Sequence, residues 1–135
     1  MKIYTSYFSN SKRLAEAGVK QIGIALYPPK WFKGVSLKCV APTASILYGS
    51  KGQEDYTRRY QNEVLSNINP KHFLETIESY SGGRDVALCC FEKPGDFCHR
   101  HLLAEWLRQV AGISIEEFPA EAIPHKPDAT TQSLF

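Results

Sequence analysis

The feature that most constrains this sequence is an unbroken apolar run at residues 86–91, which reads VALCCF. Two glycines, Gly82 and Gly83, precede the run by a few residues, and a polar segment at 92–96 follows it. A strand that is apolar at every position must be covered on both faces, which is the situation of central strands in parallel sheets. The run therefore predicts a parallel sheet with helices packed on both sides.

Strand and helix patterns alternate along the rest of the chain, as expected for an α/β protein. Strand patterns lie at residues 2–7, 19–27 and 113–118, and helix patterns at 12–17, 53–68, 70–81 and 98–110. Residues 30–52 are irregular, although 37–40 and 44–47 fit short extended or helical pieces. We expect one α/β domain over residues 1–120 with a mainly parallel central sheet, followed by a loosely ordered tail at 121–135.

Net charge and hydropathy argue against a strongly basic nucleic-acid-binding protein, a membrane-spanning protein and a secreted protein. The 135 residues carry a formal net charge of +2, which is too small to indicate a nucleic-acid partner from global charge. No apolar run approaches the roughly 20 residues that cross a bilayer, and the first residues lack the layout of a signal peptide. We therefore expect a cytoplasmic protein with no membrane partner, and the sequence identifies no protein partner.

The four cysteines do not form the pattern of a disulfide-rich domain. Cys89 and Cys90 are adjacent in the predicted strand, so their side chains point to opposite faces of the sheet. We expect Cys89 to fill the core as a small apolar residue and Cys90 to face the site. In a reducing compartment, such cysteines are more often free thiols, metal ligands or catalytic groups than disulfides.

The segment after the predicted central strand concentrates reactive side chains. Glu92 follows the strand directly, and Cys98, His99 and Arg100 open the next helix. Ligands of open α/β sheets bind at the carboxyl ends of the strands. The amides and dipole of a helix N-terminus favour a thiolate or a bound anion, which an arginine there can also hold. We interpret these four residues as candidate catalytic residues, with Glu92 as general acid or base.

The same segment resembles the signature of the DUF488 family, a family of domains of unknown function. The resemblance rests on Cys90 and Glu92, followed after a short gap by the cysteine-histidine-arginine triplet at 98–100. Members often carry aspartate-valine-arginine at the end of the second strand, where this chain reads IALYPP at 24–29, so we interpret it as a divergent member. The resemblance implies a three-layer Rossmann-like fold and brings no established reaction.

We expect the ligand to carry a phosphate group and to be a nucleotide or a nucleic-acid component. Tyr56 and Tyr60, with Arg59 beside them, are predicted to stack on a base and contact its phosphate, although tyrosines at helical spacing more often belong to the core. The loop after the first strand is predicted to meet the reactive segment in one cleft. The predicted ligand contacts are Ser6, Ser9, Asn10, Arg59, Tyr60 and Cys90. The sequence identifies no cofactor.

Two other functions stay open. In the first, the protein is a thiol enzyme or redox sensor with Cys98 as nucleophile and His99 or His101 as its base. In the second, it is a non-catalytic binding module. Cys90, Cys98 and His99 are ligand types that suit zinc, but their spacing matches none of the familiar structural zinc patterns, so we assign no metal.

Overall fold

The computed structural model describes residues 1–91 and 97–119, so Glu92 and the predicted tail at 121–135 lie outside the described residues. The strands are β1 Ile3–Tyr7, β2 Lys20–Gly23, β3 Val35–Ser36, β4 Val86–Cys90 and β5 Glu116–Glu117. The helices are α1 Ser11–Glu16, α2 Ala44–Gly49, α3 Gln53–Glu63, α4 Pro70–Ser81 and α5 His99–Ala111, with 3₁₀ turns at Phe8–Asn10, Lys38–Val40 and Leu65–Asn67. None of the helices in these two segments is long and apolar enough to cross a membrane.

The described strands form one parallel sheet in the order β3-β2-β4-β1-β5, which confirms the predicted parallel α/β fold. β4 occupies the centre, pairing with β1 on one side and β2 on the other. Tyr7 lies opposite Cys90 and Gly23 lies opposite Cys89, so the carboxyl ends of all three strands coincide. Every residue of β4 is buried, as its apolar sequence predicts.

Apolar side chains on the two faces of the sheet form two clusters. Val86, Leu88 and Cys90 point to one face, where buried residues of α3, α4 and α5 pack against them. Ala87 and Cys89 point to the other face, toward α1. Full burial of one leucine stabilises the fold by about 1.5–3 kcal/mol, so each cluster contributes substantially. Helices therefore lie on both faces of the sheet, and Cys89 is a core residue as predicted.

The two helices adjacent to β4 in the chain begin and end at residues suited to those positions. Asn69 caps α4 through its side chain, and Gly82 ends it with left-handed backbone at φ 62°. In α5 the N-cap is Cys98, and Gly112 ends the helix at φ 70°. The start of α5 is thereby placed beside the carboxyl end of β4.

Three elements are shorter than their sequence patterns predict by more than one residue, and one of them is β5, which covers only Glu116–Glu117 of the predicted 113–118. β2 ends at Gly23 and does not reach Tyr27. The short strand β3 packs closely against this end of β2. A Cβ added to Gly23 would lie only 2.9 Å from Oγ of Ser36 in β3, so a larger residue does not fit there. The helix predicted over 53–68 ends at Glu63 and gives way to a 3₁₀ turn, a frequent ending of α-helices.

Candidate functional site

A cavity of about 470 Å³ lies at the carboxyl ends of β2 and β4, bordered by α2, α3 and the start of α5. This is the edge of the sheet at which the sequence places the reactive segment. Cys90, Cys98 and His99 form one side of the cavity. The remaining described lining is apolar or aromatic and comprises Ala25, Leu26, Tyr27, Pro42, Leu47, Tyr48, Tyr56, Phe91 and Phe97.

Cys98, the N-cap of α5, lies next to Cys90, the last residue of β4. Its Sγ accepts a hydrogen bond from the backbone amide of Arg100 at 3.5 Å. The structure joins the two sulfurs in a disulfide with the Cα atoms 7.6 Å apart, whereas Cys39 and Cys89 are free. This pairing differs from the expectation of unpaired cysteines. It arises because the central strand and the following helix bring together two cysteines that the sequence separates by eight positions.

Arg100 is fully buried and forms a bidentate ion pair with Glu117 of β5. Its Nε and Nη2 donate to the two carboxylate oxygens, each at 3.1 Å, and Nη1 donates to Sγ of Cys90 at 3.0 Å. The hydroxyl of Thr5 donates to Glu117 at 2.7 Å. The guanidinium therefore links α5, β5 and β4, whereas the sequence predicted that it holds a bound anion. A charge buried at this depth needs a fixed internal counter-charge, which β5 supplies.

His99 is buried, and its Nε2 lies 2.7 Å from the carbonyl oxygen of Ile24, at the end of β2. Because a carbonyl only accepts hydrogen bonds, this contact assigns the proton to Nε2 and leaves Nδ1 with a free lone pair. Nδ1 lies 3.8 Å from Sγ of Cys98. Burial lowers the pKa of His99 to about 4, so the imidazole is neutral at physiological pH.

The loop after β1 does not contribute to this cavity. Ser6 and Asn10 are buried and bond to each other, with 3.2 Å between Asn10 Nδ2 and Ser6 Oγ, while Ser9 is exposed. The loop does approach the end of β4, because the rings of Phe8 and Phe91 are 5.1 Å apart. The cavity instead opens toward β2, so the structure does not bring Ser6, Ser9 and Asn10 together with Cys98 and His99 around it.

Arg59 and Tyr60 also lie away from the cavity lining. Tyr60 has no exposed surface, and its hydroxyl donates to the carbonyl of Val40 at 2.6 Å, so its ring belongs to the core and offers no face to a ligand. Arg59 lies on the outside of α3 and bonds Glu63 and Ser45. The tyrosine of α3 that does line the cavity is Tyr56, one helical turn before Tyr60.

Sequence reasoning missed Glu117 and the two cavity residues of α2, Leu47 and Tyr48. The signal for Glu117 was present, because it follows Ile113 and Ile115 at every second position and so shares their predicted face of the strand. A carboxylate on an apolar face indicates a buried partner. The signal for α2 was weaker, because residues 44–47 fitted a short extended piece as well as a helical one.

Comparison with known families agrees with the signature at the start of α5. A family model described as the active DUF488-N3 subclade matches residues 4–111. The chain belongs to the DUF488 family. The matched part of this DUF488 protein includes Cys90, Cys98, His99 and Arg100, whereas Glu117, which neutralises Arg100, lies beyond it. Comparison with curated proteins and with solved structures gives no match.

Proposed function

We propose that this DUF488 protein binds a planar heteroaromatic ring, the base of a nucleoside or nucleotide, in the cavity at the carboxyl ends of β2 and β4. The observation that carries the proposal is the lining of the cavity. One side is formed by Cys90, Cys98 and His99, and most of the remainder is aromatic, with the rings of Tyr27, Tyr48, Tyr56, Phe91 and Phe97. Aromatic side chains accept any base by stacking, and a few polar groups then orient it. A volume of about 470 Å³ is within the usual range for small-molecule sites.

The ring, and not the phosphate, is the part of the ligand that this lining supports. The described lining residues include no lysine or arginine, and Arg100 is committed to Glu117. A nucleoside without phosphate should therefore retain most of the affinity. The sequence predicted that the phosphate of a nucleotide is recognised, whereas this proposal assigns the recognition to the base.

Binding measurements on two tyrosine variants test the proposal. Tyr48 lines the cavity and is exposed, whereas Tyr80 is exposed on α4 and does not line it. Tyr48→Ala is expected to weaken nucleoside binding by about 5- to 150-fold, because stacking on one ring contributes about 1–3 kcal/mol. Tyr80→Ala should leave binding unchanged.

Isothermal titration of adenosine, guanosine, cytidine and uridine provides the measurement. The proposal fails if none of the four binds, or if Tyr48→Ala and Tyr80→Ala behave alike.

The Cys90–Cys98 disulfide favours a second candidate, a redox pair beside the cavity. A thiolate of a small dithiol attacks one of the two sulfurs, and its second thiol resolves the mixed disulfide. The products are two protein thiols and the oxidised small dithiol. Arg100 donates to Sγ of Cys90 and so stabilises that sulfur as a leaving thiolate. His99 is a weak base for such chemistry, since burial lowers its pKa to about 4.

Thiol counting tests this second candidate. Protein isolated without reductant and then denatured should show the two free thiols of Cys39 and Cys89, and four after reduction. If all four cysteines are alkylated before reduction, the isolated protein contains no Cys90–Cys98 disulfide and the second candidate fails.

A further inference from the structure

We propose that the reduced protein binds a divalent zinc ion at the polar side of the cavity through Cys90, Cys98 and His99. The two Sγ atoms and one imidazole nitrogen all lie within 4.8 Å of one another, and all three residues are buried. This inference does not depend on the identity of the ring ligand. It revises the interpretation of the sequence, in which the spacing of these residues argued against a metal.

The spacing of His99 and Cys98 suits a tetrahedral ion, and reduction frees the sulfurs of Cys90 and Cys98, which are bonded in the structure, to separate around it. Zinc binds sulfur at about 2.3 Å and nitrogen at about 2.0–2.1 Å, so neighbouring ligand atoms of a tetrahedral site lie about 3.5–3.8 Å apart. Nδ1 of His99 and Sγ of Cys98 are 3.8 Å apart. The backbone holds the Cα atoms of Cys90 and Cys98 7.6 Å apart, beyond the usual disulfide range of about 4.4–6.8 Å. Once the bond between the sulfurs is reduced, that spacing leaves room for an ion between them.

The outer contacts orient the ligands as metal sites require. The Nε2 proton of His99 goes to the carbonyl of Ile24, which points the unprotonated Nδ1 toward Cys98. Histidine ligands of metals almost always donate their other ring proton to such a group. On the opposite side, Nη1 of Arg100 donates to Sγ of Cys90, which favours the thiolate that a metal needs.

The charges of the cluster also balance. Two thiolates and one divalent cation sum to zero, a neutral imidazole adds no charge, and Arg100 is neutralised by Glu117. A buried group of charges is stable only when it is compensated in this way. Without a cation, two adjacent thiolates in the same place would repel each other.

Three protein ligands leave a fourth zinc position open, and the ligand residues themselves line the cavity. Closed structural zinc sites use four protein ligands, whereas catalytic sites keep one position for water or substrate. Within the described residues, the arrangement is therefore that of an open site. A ring bound in the cavity would lie against the ion.

Metal titration of reduced, chelator-treated protein tests the proposal without any nucleoside present. We expect one zinc ion per chain, and cobalt in its place should give the intense bands of tetrahedral thiolate coordination. Cys98→Ser keeps an N-cap residue for α5 but removes a ligand. It should weaken zinc binding by at least about 100-fold, more than the 10- to 100-fold cost of losing an outer-shell partner.

Two further variants keep the test decisive. His99→Gln retains a donor for the Ile24 carbonyl and removes Nδ1, so it should also weaken zinc binding, whereas Cys39→Ser removes an exposed cysteine elsewhere and should not. Absence of zinc uptake, equal uptake by Cys98→Ser and the parent, or a cobalt spectrum without thiolate bands would each overturn the proposal. A pair that resists reduction and takes up no metal would do so as well, and would indicate a structural disulfide. Nucleoside titration of chelator-treated protein separates this outcome from failure of the ring-binding proposal.

Discussion

Two arginine-glutamate pairs of this protein lie in opposite environments. The Arg100 side chain has no exposed surface and holds Glu117 of β5 through two hydrogen bonds. Arg59 pairs with Glu63 one turn along the same helix, where 46% of the glutamate side chain is exposed. Both arginines were predicted from sequence to contact a ligand, and neither lines the described cavity.

The difference between the pairs shows that environment, and not residue type, decides what an ion pair contributes. In water, the attraction between two charges is weak and screened by salt. A buried guanidinium loses its hydration entirely, so its carboxylate partner becomes indispensable even when the pair as a whole adds little net stability. The Arg100–Glu117 pair also positions Cys90 through Nη1, which ties the stability of this region to the geometry of the cavity.

Removing one partner of the buried pair should have the largest effect. Glu117→Gln leaves the guanidinium of Arg100 without its counter-charge, and the free energy of unfolding should fall by about 3–5 kcal/mol. Urea denaturation provides the measurement. Glu116→Gln is the matched control, because Glu116 is the exposed neighbour in β5 and contacts only Lys2 among the described ion pairs. If both variants lose the same small amount, the buried pair is not essential.

Acidification should have an intermediate effect through His99, which is buried beside Arg100. Its pKa is lowered from 6.5 to about 4 by burial, so below pH 6.5 the unfolded chain binds a proton that the folded protein excludes. The free energy of unfolding should therefore fall as the pH drops from 6.5 to 4, by about 3 kcal/mol in total.

Urea denaturation of chelator-treated protein at pH 7 and pH 4.5 measures this loss. His99→Gln should remove most of the difference between the two pH values, and His72→Gln, which removes an exposed imidazole, should leave it in place. A parent and a His99→Gln variant with identical pH dependence would show that His99 does not resist protonation.

The exposed pair should give the smallest effect. Arg59→Gln removes the contacts to Glu63 and Ser45 on the surface of α3, where water replaces them. The urea midpoint should change little, and any change should shrink in 1 M salt because salt screens exposed charges. A loss as large as that of Glu117→Gln would contradict the distinction between the two environments.

Local sequence patterns correctly predicted the central strand, the helices on both sides of it and the start of α5 at Cys98. Their signals are short-range, because an apolar run, a capping residue or a terminal glycine acts on its own neighbours. The same patterns overextended β2 and left α2 undecided between an extended and a helical piece. Local patterns do not report contacts between segments, such as the packing of Phe32 and Ser36 around Gly23. The assignment of Tyr60 to a ligand site shows the same limit, because helical spacing does not distinguish a core face from a binding face.

The sequence by itself determined the parallel α/β fold, the membership of the DUF488 family and the concentration of Cys98, His99 and Arg100 at one helix start. Only the tertiary structure decided which groups these residues meet. β2 brings the Ile24 carbonyl to His99, and β5 brings Glu117 to Arg100 across 17 positions of sequence. The physical reason is that the protonation and charge of a buried group depend on its neighbours in space, and the order of strands in the sheet sets those neighbours.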